Sequence, residues 1–151
     1  MGNGIIILEI KFDLYIEYKN ISNNLMSSSL SYKDKIPLQT RKTEADRVLN
    51  KYKDKIPVIV EKHLKSRDAP NIHKNKYLVP HDITFGQFIY VIRRRIKLGQ
   101  EQGLYAFIND KMPSTCDLMI SVYKNNVSED GMLYVNYAIE NTFGSTKMKI
   151  D

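Results

Sequence analysis

The stretch Thr84-Phe85-Gly86-Gln87, followed by Phe88, Ile89, Ile92 and Ile96, constrains the fold more than any other part of this chain. Threonine and glutamine three residues apart form a capping box, in which each side chain satisfies a backbone N–H that the first helical turn leaves open. The helix opened there is expected to run to about Leu98. Its apolar residues recur on one face, and Arg93, Arg94, Arg95 and Lys97 gather at its electronegative C-terminal end. A helix with one greasy stripe must bury it against another element. The available partners are short runs rich in β-branched and aromatic residues: Ile56–Val60, Tyr77–Val79 stopped by Pro80, Leu104–Ile108 and Leu133–Ile139. A second helix is expected over Asp117–Lys124. An earlier one is expected to open at Thr43 as its cap, with Ala45, Val48, Leu49 and Tyr52 at helical spacing. The resulting order, strand, strand, helix, strand, helix, strand, predicts an α+β domain with helices on one face of a sheet.

A chain of 151 residues suits one domain, and 42% apolar against 26% charged residues excludes wholesale disorder. A single cysteine excludes a disulfide scaffold. No apolar run reaches the ~18 residues of a membrane span. The opening MGNGIIILEIKFDLY lacks a basic leader and is broken by Glu9 and Lys11, so a cytosolic or nuclear address is expected. The net charge of +6 is unevenly spread: residues 32–97 hold 17 basic and seven acidic side chains, a local +10, while both flanks are acidic. A basic centre favours acidic partners without choosing among nucleic acid, anionic lipid and peptide.

Catalytic and metal chemistries find little support. Cys116 lies between Thr115 and Asp117 with no nucleophile signature and is expected to be a buried structural cysteine. His63, His73 and His81 lack metal-ligand spacing and are expected on solvated loops; no metal or cofactor is called for. Arg93-Arg94-Arg95 comes without interleaved aromatics or a nucleic-acid motif, so it reads as a solvated helix face that steers acidic ligands, not as a specific nucleic-acid site. No phosphate loop or catalytic carboxylate pair appears, and the chain is not expected to be an enzyme. The hexapeptide YKDKIP occurs at Tyr32–Pro37 and again at Tyr52–Pro57, and it reads as coincidence because the residues after each copy differ.

Residues 1–25 stand apart. Leu8, Ile10, Phe12, Leu14, Ile16 and Tyr18 alternate with polar neighbours, the period of a strand with one apolar face, and a polar Asn/Ser linker comes next. Translation from Met26 would omit this arm. Met1-Gly2 resembles an acylation start, but Ile6 stands where Ser or Thr is wanted.

Three blocks, KYKDKIPVIVEK (Lys51–Lys62), KYLVPHDITFGQFIYVIRRRI (Lys76–Ile96) and EDGMLYVNYAIENTFG (Glu129–Gly144), resemble the autophagy ubiquitin-like modifiers. That family includes the GABA-type receptor-associated protein and the microtubule-associated light chains. The resemblance covers roughly residues 31–144. It implies a ubiquitin-like β-grasp, a four-stranded mixed sheet with two N-terminal helices, near Ser31–Lys35 and Arg41–Lys51, and two further helices. The implied organisation is an extension at 1–25, a modifier domain at 26–144 and a tail at 145–151.

The resemblance also implies a mechanism. A cysteine protease would cleave after Phe143-Gly144 and remove Ser145–Asp151. Activating and conjugating enzymes would then join the Gly144 carboxyl to phosphatidylethanolamine, placing a cytoplasmic protein on autophagosomal membranes. Glycine suits that position because, without a Cβ, it threads narrow active sites and exposes its carbonyl. Receptors and adaptors with acidic aromatic-x-x-aliphatic motifs would dock by strand addition on Tyr77–Val79. Their aromatic residue would enter a pocket of Glu44, Val48, Pro57, Lys76, Leu78 and Met132. Their aliphatic residue would meet Tyr77, Val79, Pro80, Ile83, Phe88, Val91, Ile92 and Arg95. Lys55 and Lys74, with Lys76 and Arg95, would attract the acidic flank. The alternative is a peptide-binding adaptor of the same fold that is never conjugated.

Overall fold

The computed structural model describes residues 30–140. Ser31 opens helix α1 (Tyr32–Lys35): its hydroxyl accepts the Asp34 N–H while the Asp34 carboxylate accepts the Ser31 N–H. Helix α2 (Leu38–Lys51) comes after Pro37. It begins five residues before Thr43, the expected cap. Thr43 sits inside the helix instead and donates its hydroxyl proton to the Gln39 carbonyl one turn back, at 2.9 Å. That back-bond lets a threonine join a helix it was expected to start.

Strand β1 (Lys55–Lys62), strand β2 (Lys76–Pro80), helix α3 (Phe85–Arg95), strand β3 (Gly103–Phe107), helix α4 (Met119–Asn126) and strand β4 (Leu133–Glu140) complete the described chain. The strands form one mixed sheet in the order β2-β1-β4-β3. β1 and β4 run parallel at the centre, Val58 opposite Leu133 and Lys62 opposite Tyr137. The two outer pairings are antiparallel.

Helices cover both faces of this sheet, not one. Ile56, Val58 and Val60 of β1 join Tyr77, Val79, Val135, Tyr137 and Ile139 in a cluster closed by Phe85, Phe88, Val91 and Ile92 of α3 and Met119 and Val122 of α4. On the opposite face, Ile59 meets Tyr32, Ala45 and Met132, and Val48 meets Leu78. The unbroken apolar run Ile56–Val60 is the pattern of a strand buried on both sides, which an alternating strand would not show.

The Thr84 capping box forms as expected, with Gln87 N–H to Thr84 Oγ1 at 3.1 Å and Thr84 N–H to Gln87 Oε1 at 2.8 Å. At the other end the three arginines part company. Arg93 donates to the carbonyls of Gly99 and Gln102, at 3.0 and 2.8 Å, tying the end of α3 to the loop before β3. Arg93 therefore does not belong to a solvated face. Helix α4 begins two residues later than expected because Asp117 and Leu118 are engaged elsewhere: the Asp117 carbonyl accepts the Phe85 N–H, and Leu118 bridges Thr84.

One buried ionic cluster joins α2 to the entry of β4. Arg41 Nη1 donates to Asp130 Oδ2 at 2.7 Å and Arg41 Nε to the Ile36 carbonyl at 2.9 Å. Asp130 also accepts the Met132 N–H at 2.8 Å and the Tyr134 hydroxyl. The next residue, Gly131, has φ +87°, and a Cβ there would come within 2.9 Å of the Ala45 Cβ. Burial pushes the Asp130 carboxyl up, but the hydrogen bonds from Tyr134, Met132 and Arg41 outweigh it and hold Asp130 below its ordinary range. A depressed carboxyl contributes stability that is complete above the ordinary carboxylate pKa and lost as pH falls through the folded value. Replacing Arg41 leaves a fully buried carboxylate without its counter-charge. Arg41→Met is therefore expected to cost about 3 kcal/mol in urea unfolding at neutral pH and to flatten the acid limb of the stability curve. A loss under about 1 kcal/mol would show the pair to be dispensable.

Candidate functional site

Strand β2 stands at one edge of the described sheet, and its backbone geometry decides what that edge offers. Val60 N–H donates to the Asn75 carbonyl at 2.8 Å and His81 N–H to the Asp54 carbonyl at 2.9 Å. Hydrogen-bonded pairs alternate along an antiparallel ladder, so Tyr77 and Val79 bond to β1 while Lys76 and Leu78 direct their N–H and C=O away from it. Pro80 directs only a carbonyl. Pro57, opposite Leu78, tolerates its central strand for the same reason: its missing N–H faces β4 just before that ladder begins at Val58 and Leu133.

The same period divides the side chains between two faces. Lys76 and Leu78 point towards α1 and α2, where Leu78 packs on Val48 and Tyr52. Lys76 Nζ lies 3.5 Å from Glu44 and 5.0 Å from the centre of the Tyr32 ring. Glu44 also accepts the Tyr32 hydroxyl at 3.3 Å. Glu44 and Val48 lie one turn apart on α2, so one helix face supplies both. Met132 is completely buried but belongs to the neighbouring cluster with Tyr32, Ala45 and Ile59, at the back of this region.

On the other face Tyr77 meets Phe88 edge-on, ring centres 5.8 Å apart at 81°. Tyr77, Val79, Phe88, Val91 and Ile92 are 0% exposed and make up the main core. Burying each such side chain is worth roughly 1.5–3 kcal/mol, so these residues stabilise the fold whatever else they line. Pro80, Ile83 and Arg95 are half-buried. The residues expected for the two pockets thus gather on opposite sides of one edge strand. Most are floor, and few are wall.

The electrostatics differ from the sequence expectation at Lys55. Its ammonium group is 3.0 Å from the Asp54 carboxylate and its side chain only 4% exposed, so its charge is answered locally. Lys74, two residues before β2, and Arg95, the last residue of α3, are half-buried. Tyr32 joins this region only through contacts across the fold, to Lys76 and Glu44, which no local pattern signals.

Two further expectations are corrected. Cys116 is exposed, in the loop between β3 and α4, where its N–H donates to Ser114 Oγ. The segment is held by backbone bonds of Thr115 and Asp117 to the start of α3, which leaves the thiol outside. His63 is not a freely solvated loop residue: its ring stands edge-on to Phe107 at 5.8 Å, and its Nε2 is 3.5 Å from Asp110. Phe143 and Gly144, the expected processing site, and the arm at 1–25 lie outside the described residues. Among the described residues no helix is long and apolar enough to cross a membrane.

Comparison with known proteins agrees with this architecture. The model of the family described as autophagy protein Atg8, ubiquitin like, matches residues 40–144. Autophagy-related protein 8 of the yeast Vanderwaltozyma polyspora is 52% identical over 115 residues, covering 76% of this chain and 97% of that protein. Autophagy-related protein 8a of Arabidopsis thaliana is 51% identical over 115 residues, 76% of this chain and 93% of its own length. Among solved structures, the crystal structure of Trypanosoma brucei ATG8 superposes with a TM-score of 0.71 at 35% identity, covering 77% of this chain and 99% of that one. Plasmodium falciparum Atg8, solved in complex with a Plasmodium falciparum Atg3 peptide, gives 0.67 at 32%, covering 72% and 95%. With the mixed sheet, the helix pair preceding it and half-identical relatives all in register, the chain belongs to the Atg8 family of ubiquitin-like autophagy proteins.

Proposed function

We propose that this protein is a ubiquitin-like modifier conjugated through Gly144 to phosphatidylethanolamine, and that it recruits acidic aromatic-x-x-aliphatic peptides to autophagosomal membranes. The observation that carries the peptide half is the placement of two apolar regions on opposite faces of the β2 edge. Anchors three residues apart in an extended peptide point to opposite sides of its backbone. A peptide added alongside β2 therefore sends one anchor towards Val48 and Leu78 and the other towards Val79 and Ile83. Lys74 and Arg95 favour an acidic flank, while Lys76, like Lys55, is buried and answered by a carboxylate. The Plasmodium relative bound to an Atg3 peptide supports peptide recognition as a use of this fold.

The working domain spans residues 26–144, with 1–25 as an extension and 145–151 removed by a cysteine protease. An activating and a conjugating enzyme then act on the exposed glycine. Before processing the protein is cytoplasmic. Joined to a lipid with two acyl chains, it is held stably, since one chain alone binds only marginally. The protein itself carries out no bond chemistry in this scheme.

Intact mass after exposure to the family's processing protease is expected to show loss of Ser145–Asp151, and Gly144→Val to resist because its branched Cβ blocks the narrow cleft. An uncut wild-type mass contradicts the conjugation half. For the peptide half, Ile83→Ala is expected to weaken an acidic Trp-x-x-Leu peptide about fivefold, or roughly 1 kcal/mol. Lys74→Glu is expected to weaken it at low salt and progressively less as salt rises. Unchanged affinity in both variants contradicts docking at β2.

A further inference from the structure

We propose that Ser66 and Tyr105 are positioning residues for the reaction at Gly144: from opposite sides they hold the last residues of β4, the strand that leads to that glycine. This rests on the reading of Gly144 as the processed and conjugated residue. β1 accompanies β4 only as far as Lys62, opposite Tyr137. The His63 N–H still donates to the Tyr137 carbonyl at 2.8 Å, and in a continued parallel ladder the His63 carbonyl would next accept the Ile139 N–H. It does not, because the chain turns there and that carbonyl accepts the Ser66 N–H at 3.0 Å. The turn brings the Ser66 hydroxyl into its place, where it accepts the Ile139 N–H at 3.1 Å. Ser66 is 1% exposed, so this bond is shielded from water.

The loop that supplies Ser66 is itself pinned. Lys62 Nζ donates to the Ala69 and Arg67 carbonyls at 3.0 and 3.3 Å, and the Tyr137 hydroxyl donates to the Pro70 carbonyl. On the other side of β4, Tyr105 stands opposite Ala138 and Gly103 opposite Glu140, which makes Tyr105 and Glu140 diagonal neighbours on one face. The Tyr105 hydroxyl donates to Glu140 Oε1. Gly103 leaves room for the pair: a Cβ there would stand 3.5 Å from both the phenol oxygen and that carboxylate oxygen. Both bonds act beyond the point where β1 has left the sheet, one on Ile139 and one on Glu140.

With both in place the last held residue is Glu140, and four residues carry the chain to Gly144. The glycine then lies within about 13–14 Å of the sheet. Without them, residues 138–140 keep only the edge strand β3 as a partner, and the end of β4 frays towards Tyr137. Seven residues then intervene, and the reach grows to about 23–25 Å. An enzyme that grips the domain meets Gly144 as a tethered group, whose effective concentration falls as the −3/2 power of length or more steeply. Going from four residues to seven lowers it about two- to fivefold. The loss falls on kcat. Docking of the domain sets KM when dissociation outpaces chemistry, and it is left as it was.

The test follows cleavage of the full chain by the family's processing protease, read by intact mass, for the wild type, Ser66→Ala, Tyr105→Phe and the two combined. Arg41→Met is the comparison, because it loosens β4 at its entry and leaves both bonds at its exit. Urea curves first set conditions in which every form is folded. The double variant is expected to lower kcat about fourfold with KM within about twofold of the wild type, and each single variant to fall between. Arg41→Met is expected to match the wild type in both. Amide exchange at Ile139 is expected to quicken in Ser66→Ala. Unchanged kcat in the double variant overturns this proposal alone. A rise in KM at constant kcat also overturns it, by placing both residues in the enzyme's contact surface, and so does an equal loss in Arg41→Met, by making general stability the cause. A wild-type chain that stays uncut removes the reading of Gly144 itself, and this proposal with it.

Discussion

The parallel pairing of β1 with β4 brings the first and last described strands side by side at the centre of the sheet, Val58 against Leu133 and Lys62 against Tyr137. Once those strands occupy the middle, β2 and β3 have only the edges to take. β1 is then bonded on both sides, and its side chains face helices on both faces, which is why Ile56 to Val60 is apolar without interruption. The Arg41–Asp130–Tyr134 cluster fixes the point where β4 enters, by tying it to α2 across the helix-covered face. Gly131, beside that cluster, lets the backbone approach Ala45 closely.

That arrangement sets the character of β2. A strand at a sheet edge presents an outward row of backbone groups, and proteins ordinarily cover or blunt such a row. Here α2 lies to one side and α3 to the other, so apolar residues lie beneath the edge on both faces. The residues beneath the edge belong to the core and are already held by packing, so a peptide docking there as proposed would carry most of the ordering cost itself.

Local patterns in the sequence reported some of this faithfully. The Thr84 capping box, the apolar stripe from Phe85 to Ile92 and all four strands are visible because each depends on residues a few positions apart. The two copies of YKDKIP show where local reading stops. The first forms α1 and the turn after it, and the second ends α2 and enters β1. The same six residues take different structures because different neighbours bury them. Thr43 failed as a cap for a related reason: the helix was extended backwards by packing, and the hydroxyl found a carbonyl inside it. Cys116 looked like core by residue type but lies on a loop whose backbone is claimed by α3. The pairing of Arg41 with Asp130 spans a long chain separation, and that of Lys55 with its neighbour Asp54 depends on side-chain direction, which residue order alone does not carry. For the candidate site, the resemblance named the residues, and the fold shows which of them also belong to the core.

The central claim is that a peptide-docking ubiquitin-like domain becomes a membrane component through its own carboxyl end. The most direct measurement is reconstitution with the activating and conjugating enzymes, ATP and vesicles containing phosphatidylethanolamine, starting from the chain ending at Gly144. The account predicts a vesicle-bound species whose mass equals that chain plus the lipid minus one water. A chain that stays soluble with a free Gly144 carboxyl would contradict it and leave a docking adaptor that is never conjugated.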